Sequence, residues 1–204
     1  LADRRELQAG QRGRGRPGFG FLRRLHVAPH FGELPLQRLP EAERIVHLSD
    51  AERRRLLDGC LAGRDARFPA FVHLLHDTGA RYGELIERRW ADVDLDRGTI
   101  LCQTTKTGRP RVLFFTPETA DLMRKTWLRR EPGALLFEGR LPGVPISYRA
   151  AWRHLASAIG RPDLHMHDMR HVAAQRLLRG GVTIGVASQI LGHSSNILQK
   201  RYGH

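Results

Sequence analysis

Residues 92–116 change hydrophobic period in mid-chain, and this restricts the fold more than any other feature. DVDLDRG (92–98), TILCQTT (99–105) and PRVLFFT (110–116) read as short strands, with turn signals at Asp96-Arg97-Gly98 and at Lys106-Thr107-Gly108-Arg109. Strands of this length make a meander too small to stand alone, so helices must pack on it. Helical spacing supplies them on both sides. Upstream, HLSDAERRRLLDGCLAGR (47–64) pairs Ser49 with Glu52 as a capping box, followed by apolar Leu56, Leu57, Cys60 and Leu61. FPAFVHLLHDTG (68–79) predicts a second helix stopped by Gly79, and ARYGELIERRW (80–90) a short third one with Glu84 in its first turn. Downstream, 117–130, 146–160 and most of the remainder return to the helical pattern. The expected fold is mainly α with a small three-stranded antiparallel sheet, of the α+β class, over residues 46–204.

Residues 1–45 have a different character. QRGRGRPGFGFLRR (11–24) holds five arginines, four glycines and no acid, and prolines at 29, 35 and 40 keep the path irregular. It reads as a basic, largely irregular arm: a flexible linker first, a segment touching nucleic acid backbone second. A start at Leu1 rather than Met points to a fragment or a processed chain, and the start lacks the apolar core of a signal peptide.

The chain carries 34 Lys and Arg against 21 Asp and Glu, a net charge of +13. That favours an anionic partner, and nucleic acid before membrane, because no stretch is long and apolar enough to span a bilayer. Only Lys106, Lys125 and Lys200 are lysines, which reads first as a coding bias toward arginine but makes a well-placed lysine stand out. Cys60 and Cys102 sit in dissimilar contexts, which argues against a disulfide framework or a thiolate zinc site and fits a cytoplasmic location.

Five of the 11 histidines fall in the last forty residues, three of them in HMHDMRH (165–171). A helix starting near His167 would put His167, Arg170 and His171 on one face, with Met169, Val172, Ala173 and Leu177 toward the core. His167 and Arg170 would then project together at a helix N-terminus, where backbone N–H groups favour an anion. Zinc is the competing account. The i, i+4 histidines suit it, but no glutamate lies between them as in H-E-x-x-H, and the charge of Arg170 disfavours a dication. Two satisfied histidines beside a surface arginine are the third account, and the segment alone does not separate the three.

Other motifs accompany it: TGARYGEL (78–85) with Arg81, TTKTGRPR (104–111) with Lys106 at a hairpin tip, LGHSS (191–195) with His193, and KRY (200–202) with Tyr202. In this order they resemble the catalytic domain of the tyrosine recombinase family, of the phage-integrase type. HxxRH, then LGHSS, then a tyrosine nine residues after that histidine is the most specific part. The resemblance implies catalytic roles for Arg81, Lys106, His167, Arg170, His193 and Tyr202, with His171 and Glu84 supporting. HDMRH stands where HDLRH is commoner, and RYGH where RYAH is frequent. The family normally places a helical DNA-clamping domain before the catalytic one, where this chain has residues 1–45. Many members also continue beyond the tyrosine, and this chain stops at His204.

The chemistry is coherent on physical grounds. A phosphodiester under attack gains charge on its non-bridging oxygens, which two arginines and a histidine donor would stabilise. A tyrosine with a pKa of about 10 needs help to ionise, and His167 is the candidate base. Lys106 would be the general acid for the departing 5′ oxygen. The resemblance implies a 3′-phosphotyrosyl intermediate, formed with no metal, ATP or cofactor. The expected activity is site-specific recombination of double-stranded DNA, integrating or excising a mobile element. The rivals are strand cleavage of the topoisomerase IB type and a non-catalytic DNA-binding remnant. With only Ile197, Leu198 and the Tyr202 ring as apolar anchors, 195–204 is expected to dock loosely without DNA. The free chain is expected to be a monomer that self-associates on DNA.

Overall fold

The computed structural model describes residues 46–103 and 110–192, with Asn196, Leu198 and Gln199 beyond them. Among the described residues, α1 (Asp50–Gly59), α2 (Phe68–Thr78) and α3 (Tyr82–Ile86) precede a sheet of β1 (Val93–Asp94), β2 (Thr99–Cys102) and β3 (Arg111–Phe114). After it come α4 (Pro117–Thr126), α5 (Arg149–Ala158), α6 (Met169–Arg179) and α7 (Ile184–Leu191). This is the mainly helical architecture with a small sheet that the periodicity predicts. The expectation for 1–45 lies outside the described residues.

The first helix starts as its capping box dictates. Glu52 accepts the Ser49 backbone N–H at 2.8 Å, and the Ser49 hydroxyl accepts the Glu52 N–H at 3.2 Å. The Ser49 N–H, and after it Arg161, hold the Glu52 carboxyl well below the usual range. The axis of the core is α2, where nine of eleven residues are buried. Phe71 packs tilted against Tyr148 at 4.8 Å and meets Phe137 edge-on at 5.4 Å. An all-round apolar helix can sit only in the middle of others, and α2 has α1, α4 and α6 around it.

The sheet is an antiparallel meander in the order β1-β2-β3, with Ile100 opposite Leu113 and Cys102 opposite Arg111. Alternation puts Ile100, Cys102 and Leu113 in the core and leaves Leu101, Val112 and Phe114 exposed. Arg111 therefore sits on the same side of β3 as Leu113, the core side.

Asp77 fastens three helices together near the end of α2. Its carboxylate accepts the Thr116 N–H at 3.0 Å and the Thr119 hydroxyl at 2.6 Å at the start of α4, and meets Arg176 of α6 at 3.3 Å. Burial by itself pushes this carboxyl up. His76 at 3.0 Å, the Thr119 hydroxyl and the Thr116 amide outweigh burial and leave it below the usual carboxylate range.

Beyond α2, the facing sides of α6 and α7 are lined by Ala173, Ala174, Ala187 and Leu191, and Leu198 is fully buried against them. Small residues let these helices approach closely, and burial of Leu198 is worth about 1.5–3 kcal/mol. The remaining apolar anchors of 195–204 lie outside the described residues.

Elements that end early do so for tertiary reasons. The helix expected over 80–90 stops at Ile86 because the chain turns to pair with another segment. There Arg88 O accepts the Leu136 N–H at 2.6 Å, and the Trp90 N–H donates to Ala134 O at 3.1 Å. The helix over 117–130 stops at Thr126 because Trp127 turns inward, its ring 5.3 Å from Trp90 and 5.7 Å from Phe137. The helix expected from 146 begins at Arg149, since the Ile146 N–H is donated to Phe137 O at 2.9 Å. β1 shrinks to two residues because Asp94 caps the turn, accepting the N–H groups of Asp96 and Arg97.

Candidate active site

Two helices end in left-handed glycines, and both endings serve arginines. Gly79 closes α2 at φ 56° and Gly192 closes α7 at φ 62°. The Arg170 guanidinium, from the first turn of α6, donates to Gly79 O at 3.0 Å and to Leu191 O. Arg111 donates to the neighbouring carbonyl, Ile190 O, at 2.9 Å. A helix C-terminus is the partially negative end of its dipole, so cations are favoured there.

Glu84 joins the set from α3. Its Oε1 accepts the Arg81 guanidinium at 2.8 Å, its Oε2 accepts the Arg81 backbone N–H at 2.9 Å, and Arg111 binds Oε2 from the sheet. The spacing of TGARYGEL explains this: α3 starts just after Arg81, and Glu84 in its first turn folds back on it. Burial pushes the Glu84 carboxyl up. The Arg81 N–H, the charge of Arg111 and the Arg81 side-chain hydrogen bond more than reverse this and hold it below its usual range.

The electrostatic result is an excess of buried positive charge. Arg170 is only 1% exposed. Burial, then the charges of Arg111 and Arg81, pull its guanidinium down to about 9, which leaves it cationic at neutral pH. In this cluster the guanidiniums of Arg81 and Arg111 both bind the Glu84 carboxylate, and Arg170, bonded to the ends of α2 and α7, feels the charges of all three. Arg81 is the most accessible of them, with 28% of its side chain exposed.

The sequence places Arg170 and His167 side by side at a helix start, and the structure modifies this. His167 lies in a 3-10 turn (Met166–Asp168) before α6 and is exposed, while Arg170 is turned inward. His171 is buried, its ring edge-on to His167 with centroids 6.1 Å apart. Asp168 closes the turn by accepting the His165 N–H at 2.7 Å. Met169, Val172 and Ala173 face the core as expected, and Leu177 packs half-buried against the α6–α7 cluster. Among the described residues no three His, Cys, Asp or Glu side chains gather as a metal ion would need, and no helix is long and apolar enough to cross a membrane.

The structure thus brings Arg81, Glu84 and Arg170 together and sets His167 and His171 at the head of the Arg170 helix. Lys106, His193 and Tyr202 lie outside the described residues. Sequence reading missed Arg111. Its signal was the parity of RVLF in β3: an arginine in step with buried Leu113 faces the core and requires an ionic partner there.

Gly79 is the residue this arrangement tolerates least. A Cβ there would stand 2.7 Å from Ala173 Cβ and 2.8 Å from Leu191 Cδ2. We expect Gly79→Ala to cost about 2–4 kcal/mol, part from the left-handed backbone and part from overpacking. Urea unfolding measures it; a change under about 0.5 kcal/mol would contradict the packing described.

The phage integrase family model matches residues 41–204. Tyrosine recombinase XerA of Saccharolobus solfataricus is 29% identical over 173 residues, covering 83% of this chain and 55% of that protein. A crystal structure of XerA recombinase superposes with a TM-score of 0.64 at 28% identity, covering 76% of this chain and 58% of that one. The Tn1549 transposon integrase, solved in complex with circular intermediate DNA, shares the fold: TM-score 0.66, 18% identity, 80% of this chain and 64% of that one. The chain spans about half the length of XerA. With a match over most of its residues, and with the TGARYGEL and HMHDMRH motifs meeting in one charged cluster, the chain belongs to the phage integrase family.

Proposed function

We propose that residues 46–204 form the catalytic domain of a site-specific DNA recombinase acting on double-stranded DNA, preceded by a basic arm over 1–45. The observation that carries this reading is the cluster of Arg81 and Arg111 on the Glu84 carboxylate with the buried Arg170 guanidinium beside them. Buried cations that repel one another are stabilised by an anion, and a phosphodiester gains negative charge as it is attacked. Arg81 and Arg170 take its non-bridging oxygens, with a histidine donor beside them. Tyr202 attacks phosphorus, His167 accepts the phenolic proton, and Lys106 protonates the 5′ oxygen as its bond to phosphorus breaks. The phosphate is left joined to Tyr202 by its 3′ side. The bond energy is kept, so attack by a 5′ hydroxyl restores the diester without a nucleotide cofactor. The net charge of +13 supports DNA as substrate, and several copies assemble on DNA because exchange requires cuts in paired sites. The DNA-bound Tn1549 transposon integrase supports a role in moving a mobile element.

The test is covalent trapping on a nicked duplex, from which the freed 5′ fragment diffuses away. A protein–DNA adduct that survives denaturant should form in EDTA, and yield should fall steeply with salt as phosphate contacts are lost. DNA binding without adduct would favour a non-catalytic remnant, and EDTA-sensitive cleavage would return His167 and His171 to metal binding.

A further inference from the structure

Arg111 has no assigned part in the chemistry, yet it bonds to Glu84 and to the end of α7, the groups that adjoin Arg81 and Arg170. Its side chain is 8% exposed. One guanidinium nitrogen binds the Glu84 oxygen that also takes the Arg81 N–H, and another donates to Ile190 O at 2.9 Å. The next carbonyl along α7, Leu191 O, receives Arg170. Arg111 is therefore one step from Arg81 through Glu84, and one step from Arg170 through the end of α7. The LGH glycine makes room for it, since a Cβ on Gly192 would lie 3.2 Å from Arg111 Cδ. Its position opposite Cys102, inside the sheet ladder, fixes the origin of the side chain.

We infer that Arg111 is a positioning residue, which holds Arg81 and Arg170 at a fixed mutual spacing matched to the two non-bridging oxygens of one phosphate. The inference rests on the phosphoryl-transfer reading above. A forked, planar cation is needed because it must bond a carboxylate and a carbonyl at once, at fixed angles. A lysine could keep the contact to Glu84 but not both. Its like charge has a second effect: it adds to the repulsion on Arg170, which the arrival of a phosphate relieves.

The experiment compares Arg111→Met, Arg111→Lys and Arg81→Ala on two nicked duplexes, one with an ordinary scissile phosphate and one with a methylphosphonate. The methylphosphonate lacks the charge that the arginines neutralise, so a defect caused by misplaced arginines shrinks on it. A defect caused by partial unfolding does not. On the phosphodiester, Arg111→Met should cleave about 10–100-fold more slowly, in the range for a weakened preorganised donor, with DNA affinity within about threefold. On the methylphosphonate the deficit should fall to about threefold or less, as for Arg81→Ala, and Arg111→Lys should recover part of the rate. Equal slowing on both substrates, or slowing that tracks loss of folded protein, overturns the inference. If the wild type itself forms no adduct, the function reading fails separately, and Arg111 is then judged by sulfate. Sulfate should raise the wild-type Tm, and Arg111→Met should lose as much of that rise as Arg81→Ala; an undiminished rise overturns the inference.

Discussion

Tyr202→Phe should abolish the covalent DNA adduct and leave DNA affinity within about twofold, because binding rests on many phosphate contacts and chemistry on one hydroxyl. The aromatic ring is kept. Only the oxygen that would bond to phosphorus is lost. A phenol with a pKa of about 10 is almost wholly protonated at neutral pH, and its attack depends on a base and on nearby cations. On the proposed reading, the cluster of Arg81, Arg111 and Arg170 supplies those cations. Trapping on nicked DNA followed by denaturing electrophoresis reads the adduct, and fluorescence anisotropy reads affinity. Adduct formation by the Phe variant would move the nucleophile elsewhere, with Tyr82 and Tyr148 as the other tyrosines. Tyr148 would be a poor substitute: burial, and then the Asp65 charge, push its phenol far above the ordinary value.

What could be read from the sequence was whatever depends on local chemistry. The Ser49–Glu52 capping box, the left-handed stop at Gly79 and the strand period of TILC and RVLF each follow from a few neighbouring residues. Arg81 and Arg170 were found through motif order, and Glu84 through its place in a first turn. Tertiary partners were not legible. Nothing near Arg88 announces that its carbonyl will take the Leu136 N–H, so the end of α3 was misjudged. Nothing in HMHDMRH shows that Arg170 turns inward, because its acceptors belong to Gly79, 91 residues away, and to Leu191. Arg111 was missed although strand parity marked it, since an inward arginine acquires meaning only when Glu84 is known to wait there.

Arg170→Ala should lower cleavage at least about a hundredfold, as for removal of one preorganised charge from a transition state. The stability outcome is the sharper test, because opposing effects meet at one side chain. Truncation leaves Gly79 O and Leu191 O without this donor in a buried place, at about 1–3 kcal/mol for each carbonyl left unpaired. It also deletes a buried cation that Arg111 and Arg81 repel, and this offsets part of the loss. The net expectation is a destabilisation of about 1–3 kcal/mol, below the roughly 3–5 kcal/mol typical of a broken buried ion pair. Arg170→Lys retains a charge but not the fork that spans the ends of α2 and α7, so its cleavage should stay nearer the Ala variant than the wild type. Chemical denaturation gives the first quantity, and single-turnover trapping at a temperature where both variants are folded gives the second. Near-wild-type cleavage by either variant would place Arg170 outside the chemistry. Stability equal to or above wild type would mean that the repulsion among the three arginines outweighs the bonds that Arg170 makes, and that the free protein holds Arg170 under strain until a phosphate arrives.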